Sequence, residues 1–229
     1  MPAPQHSDND SGVAAAPIVA AEVSTVSGAL LVPHLSHPNA LLVLLLSYAL
    51  WAFSVPLAMS MLVILLLRLV LYKLPGRDMA ASGWLALGPI GTAALGLVLL
   101  GRDAPAVFAA AGLSPVGEVA VGLGVIGGPM LWGYGAWWLM LAVLKTVRYL
   151  RAGIPFNLGC WGFTFPLGVY TLATLALGKA TGLAMFSVLG GFLVMCLAVV
   201  WVVVAELTMV WAWDGYLSLL QRQALPIAK

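Results

Sequence analysis

The chain has 229 residues, of which 62% are hydrophobic and only 8% are charged, and its mean hydropathy is +1.06. A soluble domain is roughly 45–50% apolar and about 25% charged, and one of this size buries only about 70% of the surface that its unfolded chain exposes. This composition therefore excludes a water-soluble globular domain and indicates an integral membrane protein. The net charge of +2 gives no reason to expect a nucleic-acid partner.

The N-terminal segment 1–16 contains Asp8 and Asp10 but no lysine or arginine. A secretory signal peptide needs a positively charged segment ahead of its apolar stretch, so the sequence does not predict one here. We expect residues 1–16 to form a flexible cytoplasmic tail, and we expect a second cytoplasmic tail at 218–229.

Six apolar runs are long enough to cross a bilayer as helices, which takes about 20 residues. The first, third and fifth runs are short and rich in glycine and proline, whereas the other three are longer and bulkier. This alternation predicts an all-α, multi-pass membrane protein built from helical hairpins, each with a short inner helix followed by a longer outer one. The predicted spans, which together make a transmembrane domain over 17–217, are 17–33, 40–72, 83–101, 117–147, 158–178 and 183–217.

The distribution of lysine and arginine predicts the orientation of these spans, because short cytoplasmic loops carry an excess of both. Seven basic residues follow the long spans, when Lys145 is counted with the loop that it borders, and two follow the short spans. We therefore expect both termini to be cytoplasmic. The larger set is Lys73, Arg77, Lys145, Arg148, Arg151, Arg222 and Lys229, and the smaller set is Arg102 and Lys179.

Glycine and proline interrupt two of the short spans. The third span contains Gly88, Pro89 and Gly91, and the fifth contains Gly162 and Pro166. Because proline lacks an N–H and its ring clashes with the carbonyl four residues earlier, we expect the helix to be kinked or locally opened at Pro166. Two interpretations are open: the small residues let helices pack closely, or the irregular backbone lines a cavity that a large aromatic side chain plugs.

Two of the predicted spans, the first and the last, contain carboxylates beyond their first two residues. Glu22 lies in the first, where it either has a function, as intramembrane carboxylates often do, or simply reaches the interface from near the span end. Glu206 and Asp214 lie in the last span, and Asp214 is surrounded by aromatic residues typical of an interfacial belt. We expect no transport role for Glu206 or Asp214.

No pattern of metal ligands or of haem-binding histidines is found. The three histidines, His6, His34 and His37, lie outside the apolar spans, whereas haem anchors need histidines within helices. Cys160 and Cys196 both lie in apolar runs and are interpreted as small buried hydrophobic residues. We expect no metal, no cofactor and no enzymatic activity.

The segment FNLGCWGFTFPLGVYTLATLALG, at 156–178, resembles the tellurite-resistance/C4-dicarboxylate transporter family, which includes plant slow-type anion channels and fungal malate and sulfite transporters. The segment YKLPGRDMAASGWLALGPIGTAALGLVLL is similar to the same family's pattern of a proline after a long helix, followed by GP-G in the next inner helix. The resemblance covers residues 17–217. It implies a fold of ten spans in five hairpins, of which this chain resembles the last six, with odd-numbered helices lining a pore and even-numbered helices outside.

The resemblance also implies functional residues. A phenylalanine of the ninth family helix closes the pore, which implies Phe165 as the gate, with Phe163 as the alternative. These two residues lie about 200° apart around a helix, so only one of them can face a given axis. The family further implies a homotrimer in which each protomer has its own pore, and it implies pore-lining positions at Gly88, Pro89, Gly91, Gly162, Pro166 and Val169.

These expectations describe a protein of the plasma or inner membrane that transports small anions, such as dicarboxylates, sulfite or chloride, through an aromatic-gated pore. A second hypothesis is a truncated or non-functional membrane remnant, because the first four family helices have no counterpart in the sequence. A third is the membrane anchor subunit of an oxidoreductase, which the positions of the histidines disfavour.

Overall fold

The computed structural model describes residues 7–71, 83–151, 153 and 156–224, and it describes side chains between 19 and 213 within these ranges. Its described residues form helices and no strands, which confirms the all-α class. Three basic residues of the orientation argument, Lys73, Arg77 and Lys229, lie outside the described residues. The helices are α1 (Ser7–Leu31), α2 (Asn39–Leu71), α3 (Leu87–Ala110), α4 (Ser114–Leu150), α5 (Thr164–Thr181) and α6 (Ala184–Ala224), with 3₁₀ segments at Val32–His34 and Leu158–Phe163.

Five helical segments of the described chain are long and apolar enough to cross a membrane: α2, α3, α4, α6, and α5 together with the 3₁₀ segment before it. The sixth predicted span, 17–33, overlaps α1. This helix begins at Ser7, so residues 7–16 are helical although the sequence predicted a tail there. The six-span count and the position of both termini remain predictions.

Consecutive helices pack in pairs, α1 with α2, α3 with α4 and α5 with α6, as the predicted hairpins require. The first helices of the three pairs run parallel. On α1 and α3, Glu22 lies beside Thr92 and Thr25 beside Gly96. On α3 and α5, the backbone at Gly91 meets that at Tyr170, and Val98 packs with Leu177.

The α3 helix lies at the centre of the molecule and contacts α1, α2, α4 and α5. In the most apolar 18-residue window of α3, 67% of the residues are buried, compared with 22% in α2 and α4 and 17% in α6. The long helices therefore present most of their side chains outward, where lipid is the solvent. The α3 helix is thus an inner helix with longer helices outside it, as predicted, whereas only three of residues 19–31 of α1 are buried, a share like that of the long helices.

Glycine allows α3 and α4 to approach closely. A Cβ built on Gly117 would lie 2.6 Å from the Cα of Pro105, and one built on Gly101 would lie 2.7 Å from the carbonyl oxygen of Ala120. Close backbone approach of this kind stabilises helix pairs in lipid, where packing contacts replace the hydrophobic effect as the main attraction.

Tryptophan N–H groups connect the inner elements to the outer helices. Three of them donate to threonine hydroxyls on another element, and these bonds satisfy polar groups that would otherwise be unpaired in an apolar environment. The pairs are Trp84 with Thr146 (2.9 Å), Trp132 with Thr174 (2.9 Å) and Trp161 with Thr208 (3.1 Å).

The predicted span is locally opened before Pro166 and is not kinked at it, because a 3₁₀ segment takes up its first part and α5 begins later than the span. A 3₁₀ segment ends at Phe163, and Pro166 is the third residue of the α-helix. Pro89 is likewise the third residue of α3. The first N–H groups of a helix have no acceptor within it, so a proline at this position interrupts no helical hydrogen bond.

Candidate functional site

The three parallel helices α1, α3 and α5 line a common cleft of about 470 Å³. The α3 helix packs against both of the others and forms the bottom of the cleft. Most lining side chains are apolar, and the two basic ones lie at the same end. Representative lining residues are Val26 and Leu30 of α1, Leu95 and Val98 of α3, and Leu172 and Ala176 of α5.

The basic end of the cleft is formed by Arg102 of α3 and Lys179 of α5. The guanidinium of Arg102 donates two hydrogen bonds to the neighbouring carboxylate of Asp103, from Nε (2.9 Å) and from Nη2 (2.7 Å). Lys179 has no acidic partner among the described residues. These three side chains together leave one net positive charge, which attracts anions to this end of the cleft.

Phe165 lies at the other end of α5, on the same helix face as Lys179. Phe165, Leu172 and Lys179 follow each other at intervals of seven residues, which places them along one stripe of the helix. The Phe165 side chain is 51% exposed, and its Cε1 lies 3.6 Å from the position of a Cβ built on Gly88 of α3. We call the helix face that carries these three residues the open face of α5. The Phe165 ring lies on this face, about 21 Å along the helix axis from Lys179.

Phe163, the alternative gate, is in a different environment. It is half-buried and packs edge-on against Trp84, with ring centroids 5.7 Å apart. It belongs to the cluster of apolar residues that joins the start of α3 to α4 and α5. Phe163 thus lies in a packing contact, whereas Phe165 lies on the open face.

The other predicted pore-lining residues lie mainly between helices. Gly91, Pro166 and Val169 are buried in the contact of α3 with α5, where a Cβ on Gly91 would lie 2.9 Å from the backbone nitrogen of Tyr170. This placement supports the close-packing interpretation for these three residues. Gly88 is buried beside the Phe165 ring.

The two remaining predicted positions are only half-buried. Pro89 lines a separate small cavity of about 170 Å³ between α1, α2 and the start of α3. Gly162 lies in the 3₁₀ segment that precedes α5. Neither residue lines the larger cleft.

Glu22 is buried, with 2% of its surface exposed, so the interpretation that it reaches the interface is wrong. Its Oε2 lies 2.5 Å from the hydroxyl oxygen of Thr92 on α3. One step of four along α1 leads from Glu22 to Val26, and a second leads to Leu30, which both line the cleft. Glu22 therefore lies on the same face of α1 as Val26 and Leu30, one turn before the part of that face that lines the cleft.

Sequence reasoning missed the convergence of Arg102 and Lys179, because it used both residues only to orient the chain. The sequence did contain a signal for it, because each of the two residues comes directly after the end of a short predicted span. Parallel short helices bring such residues to the same end of the molecule. The Trp–Thr pairs were also missed, since hydrogen-bond partners on different helices leave no pattern in the sequence.

A cleft bounded by short parallel helices, with longer helices outside, is the arrangement that the resemblance implied. A family description, voltage-dependent anion channel (SLAC1), matches residues 4–209. The chain belongs to the voltage-dependent anion channel family. The match covers most of the chain and confirms the resemblance to the tellurite-resistance/C4-dicarboxylate transporters and their channel relatives.

Several curated proteins are similar to this chain. The sulfite efflux pump SSU1 of Arthroderma otae is 40% identical over 195 residues, which cover 84% of this chain and 51% of that protein. The sulfite efflux pump SSU1 of Trichophyton rubrum is 38% identical with the same coverage. An uncharacterised transporter of Methanocaldococcus jannaschii, MJ0762, is 28% identical over 188 residues, covering 82% of this chain and 52% of that protein.

The chain thus spans about half the length of the curated relatives it matches. No solved structure matches it.

Proposed function

We propose that this protein moves small anions across the plasma membrane through a path along the cleft between α1, α3 and α5, with Phe165 as an aromatic gate. The observation that carries the proposal is the face of α5, which presents Phe165 at one end and Lys179 at the other, beside a cleft lined mainly by apolar side chains. The family membership supports anion transport as the activity.

The lining of the cleft suggests how the path acts on an anion. One net positive charge near Arg102 and Lys179 attracts anions, and the apolar lining beyond it offers few hydrogen bonds. Passage then depends on how easily an anion loses water, so selectivity among small anions is weak. An exposed aromatic ring can close such an apolar path by excluding water from it.

Sulfite is the first anion to test, because two of the similar proteins are sulfite efflux pumps. C4-dicarboxylates are the second substrate class, following the family resemblance. We also propose a homotrimer with cytoplasmic termini. The alternative is a non-functional membrane remnant, which predicts no transport by the protein or its variants.

The test is sulfite and chloride flux in proteoliposomes containing the chain, Phe165→Ala or Phe163→Ala. The chain is also compared with a version extended by any upstream coding sequence. We expect Phe165→Ala to raise flux by roughly tenfold, because it removes the apolar constriction. Phe163→Ala, the matched control, should not raise flux and should lower stability, because it removes the contact with Trp84.

Equal flux from wild type and Phe165→Ala, with both proteins folded and inserted, would contradict the gate. Absence of flux from every form would contradict the transport function and favour the remnant. Cross-linking and mass measurement of the protein in lipid nanodiscs test the trimer.

A further inference from the structure

Glu22 is held in an environment that is unfavourable to a charged carboxylate. It is 2% exposed, and its Oε1 has no hydrogen-bond partner among the described residues. Its Oε2 has one neighbour, the hydroxyl of Thr92. A buried ionised carboxylate needs a cation or several donors to offset the loss of water, and this site has a single hydroxyl.

The hydrogen-bond geometry at Thr92 fits a protonated Glu22. The threonine hydroxyl has one proton, yet its oxygen lies 2.5 Å from Glu22 Oε2, 2.9 Å from the carbonyl oxygen of Gly88 and 3.1 Å from that of Pro89. A threonine in a helix commonly donates to the carbonyl four residues earlier. When Thr92 donates to Gly88, the short contact with Glu22 needs a proton on the carboxyl group, which then donates to the threonine oxygen.

The neighbouring helices bring no compensating charge to Glu22. The α3 helix has no ionisable residue between Leu87 and Gly101, and α2 has only Tyr48 between Asn39 and Leu67. No other ionisable residue lies between 19 and 31 of α1, and the start of α5, from 164 to 178, has only Tyr170, whose hydroxyl donates to a backbone carbonyl.

The charged groups of these helices lie at their ends. Arg102 and Asp103 pair with each other ten or more residues beyond Thr92, about 15 Å along α3. Lys179 is at the same end of the cleft. Arg68 is 17 residues beyond Trp51 on α2, about 25 Å along that helix, and Trp51 bonds to the α3 turn that includes Thr92.

The same turn of α3 connects Glu22 to the proposed gate. The hydroxyl group of Thr92 contacts the carboxyl group of Glu22, and it also lies within hydrogen-bond distance of the carbonyl oxygen of Gly88. Gly88 in turn lies against the ring of Phe165. The carboxyl group and the aromatic ring therefore contact residues of the same helical turn of α3.

We propose that Glu22 is a proton-binding site that controls anion passage, which its protonated form permits and its ionised form blocks. This inference rests on the proposed transport function. Release of the proton to water leaves a negative charge on the face of α1 that borders the cleft, where it repels anions. It also removes the donor to Thr92, on the turn that Phe165 contacts.

The first test is the pH dependence of chloride flux in proteoliposomes, with wild type, Glu22→Gln and Glu206→Gln. Chloride is the probe because it has no titration of its own, unlike sulfite. Glutamine keeps the shape of glutamic acid and remains neutral, so it imitates the protonated side chain. Glu206 is a second glutamate within a predicted span, but it is exposed on α6 and serves as the matched control.

Wild-type flux should fall as pH rises, by about tenfold per pH unit above the midpoint, as expected when one protonated group is needed. Glu22→Gln should keep the low-pH flux at every pH, and Glu206→Gln should titrate like wild type. A flat wild-type profile, or a Glu22→Gln profile that titrates like wild type, would overturn the proposal.

The second test needs no transport. Infrared spectra of the protein in lipid, recorded against pH, should contain a protonated-carboxyl C=O band that titrates in wild type and is missing in Glu22→Gln. Absence of that band at low and neutral pH would overturn proton binding. Absence of chloride flux from every variant, including Phe165→Ala, would overturn the transport function and with it the control of passage, whereas the band reports the proton site alone.

Discussion

Phe165 of α5 lies against Gly88 of α3, with its Cε1 3.6 Å from the position that a Cβ on Gly88 would occupy. Each is the second residue of its helix and precedes a proline. The sequence at 88–91 is GPIG and that at 165–168 is FPLG. The two inner helices therefore begin alike, and they differ in that α5 has a large ring where α3 has only a hydrogen.

This contact predicts coupling between the two positions. Gly88→Leu places a side chain where the Phe165 ring lies, so we expect it to lower the free energy of unfolding by about 1–3 kcal/mol. In a Phe165→Ala background the ring is absent, and the same substitution should cost at most about half as much. Unfolding in mixed detergent, followed by circular dichroism, measures both. Equal costs in the two backgrounds would show that the residues do not contact each other.

A second prediction concerns the seam between α3 and α5. A Cβ on Gly91 would lie 2.9 Å from the nitrogen of Tyr170 and 3.1 Å from the carbonyl carbon of Val169, which are backbone atoms that cannot rotate away. Gly91→Ala should therefore lower stability by about 1–3 kcal/mol. Gly122→Ala is the control, since a Cβ there meets nothing within 4 Å. That variant should be neutral or slightly stabilising, because alanine favours helices. A neutral Gly91→Ala would contradict the close approach.

Two tyrosines should respond differently to the loss of the hydroxyl group. The hydroxyl of Tyr170 donates to the carbonyl of Trp132 at 2.8 Å, whereas that of Tyr48 is buried with no partner in the described chain. We expect Tyr170→Phe to lower the free energy of unfolding by about 1 kcal/mol. Tyr48→Phe should be neutral or raise it by up to about 1 kcal/mol, because the unpaired group is removed. The same unfolding measurement tests both variants. Destabilisation by both would contradict the conclusion that the Tyr170 hydroxyl is hydrogen-bonded and the Tyr48 hydroxyl is not.

A fourth prediction concerns charge at the basic end of the cleft. Lys179→Gln should reduce anion flux at low ionic strength, and Asp103→Asn should increase it, because Arg102 then loses the carboxylate that offsets its charge. Both effects should shrink at high salt, as screening requires. Arg148→Gln, at the opposite end of the molecule, is the control and should leave the salt dependence of flux as in wild type. Identical salt profiles for all variants would exclude an electrostatic role of this end.

Much of the architecture was predictable from apolar lengths. A backbone in lipid must satisfy its own hydrogen bonds, so each long apolar run becomes a helix, and the short glycine-rich and long bulky runs become inner and outer helices. Helix ends were less predictable, as at Thr164, where a 3₁₀ segment precedes the helix and moves Pro166 into its first turn. A short run of apolar residues looks the same in the sequence whether it forms a 3₁₀ segment or an α-helix.

The sequence by itself determined that this is an all-α membrane protein of three hairpins, and its motifs pointed to an anion channel family. Only the tertiary structure decided which side of each helix is inside. It separated Phe165 from Phe163, buried Glu22 against Thr92, and brought Arg102 and Lys179 to one end of the cleft. The physical reason is that helices in lipid are apolar on every face, so the hydrophobic periodicity that reveals the buried side of a soluble helix is absent.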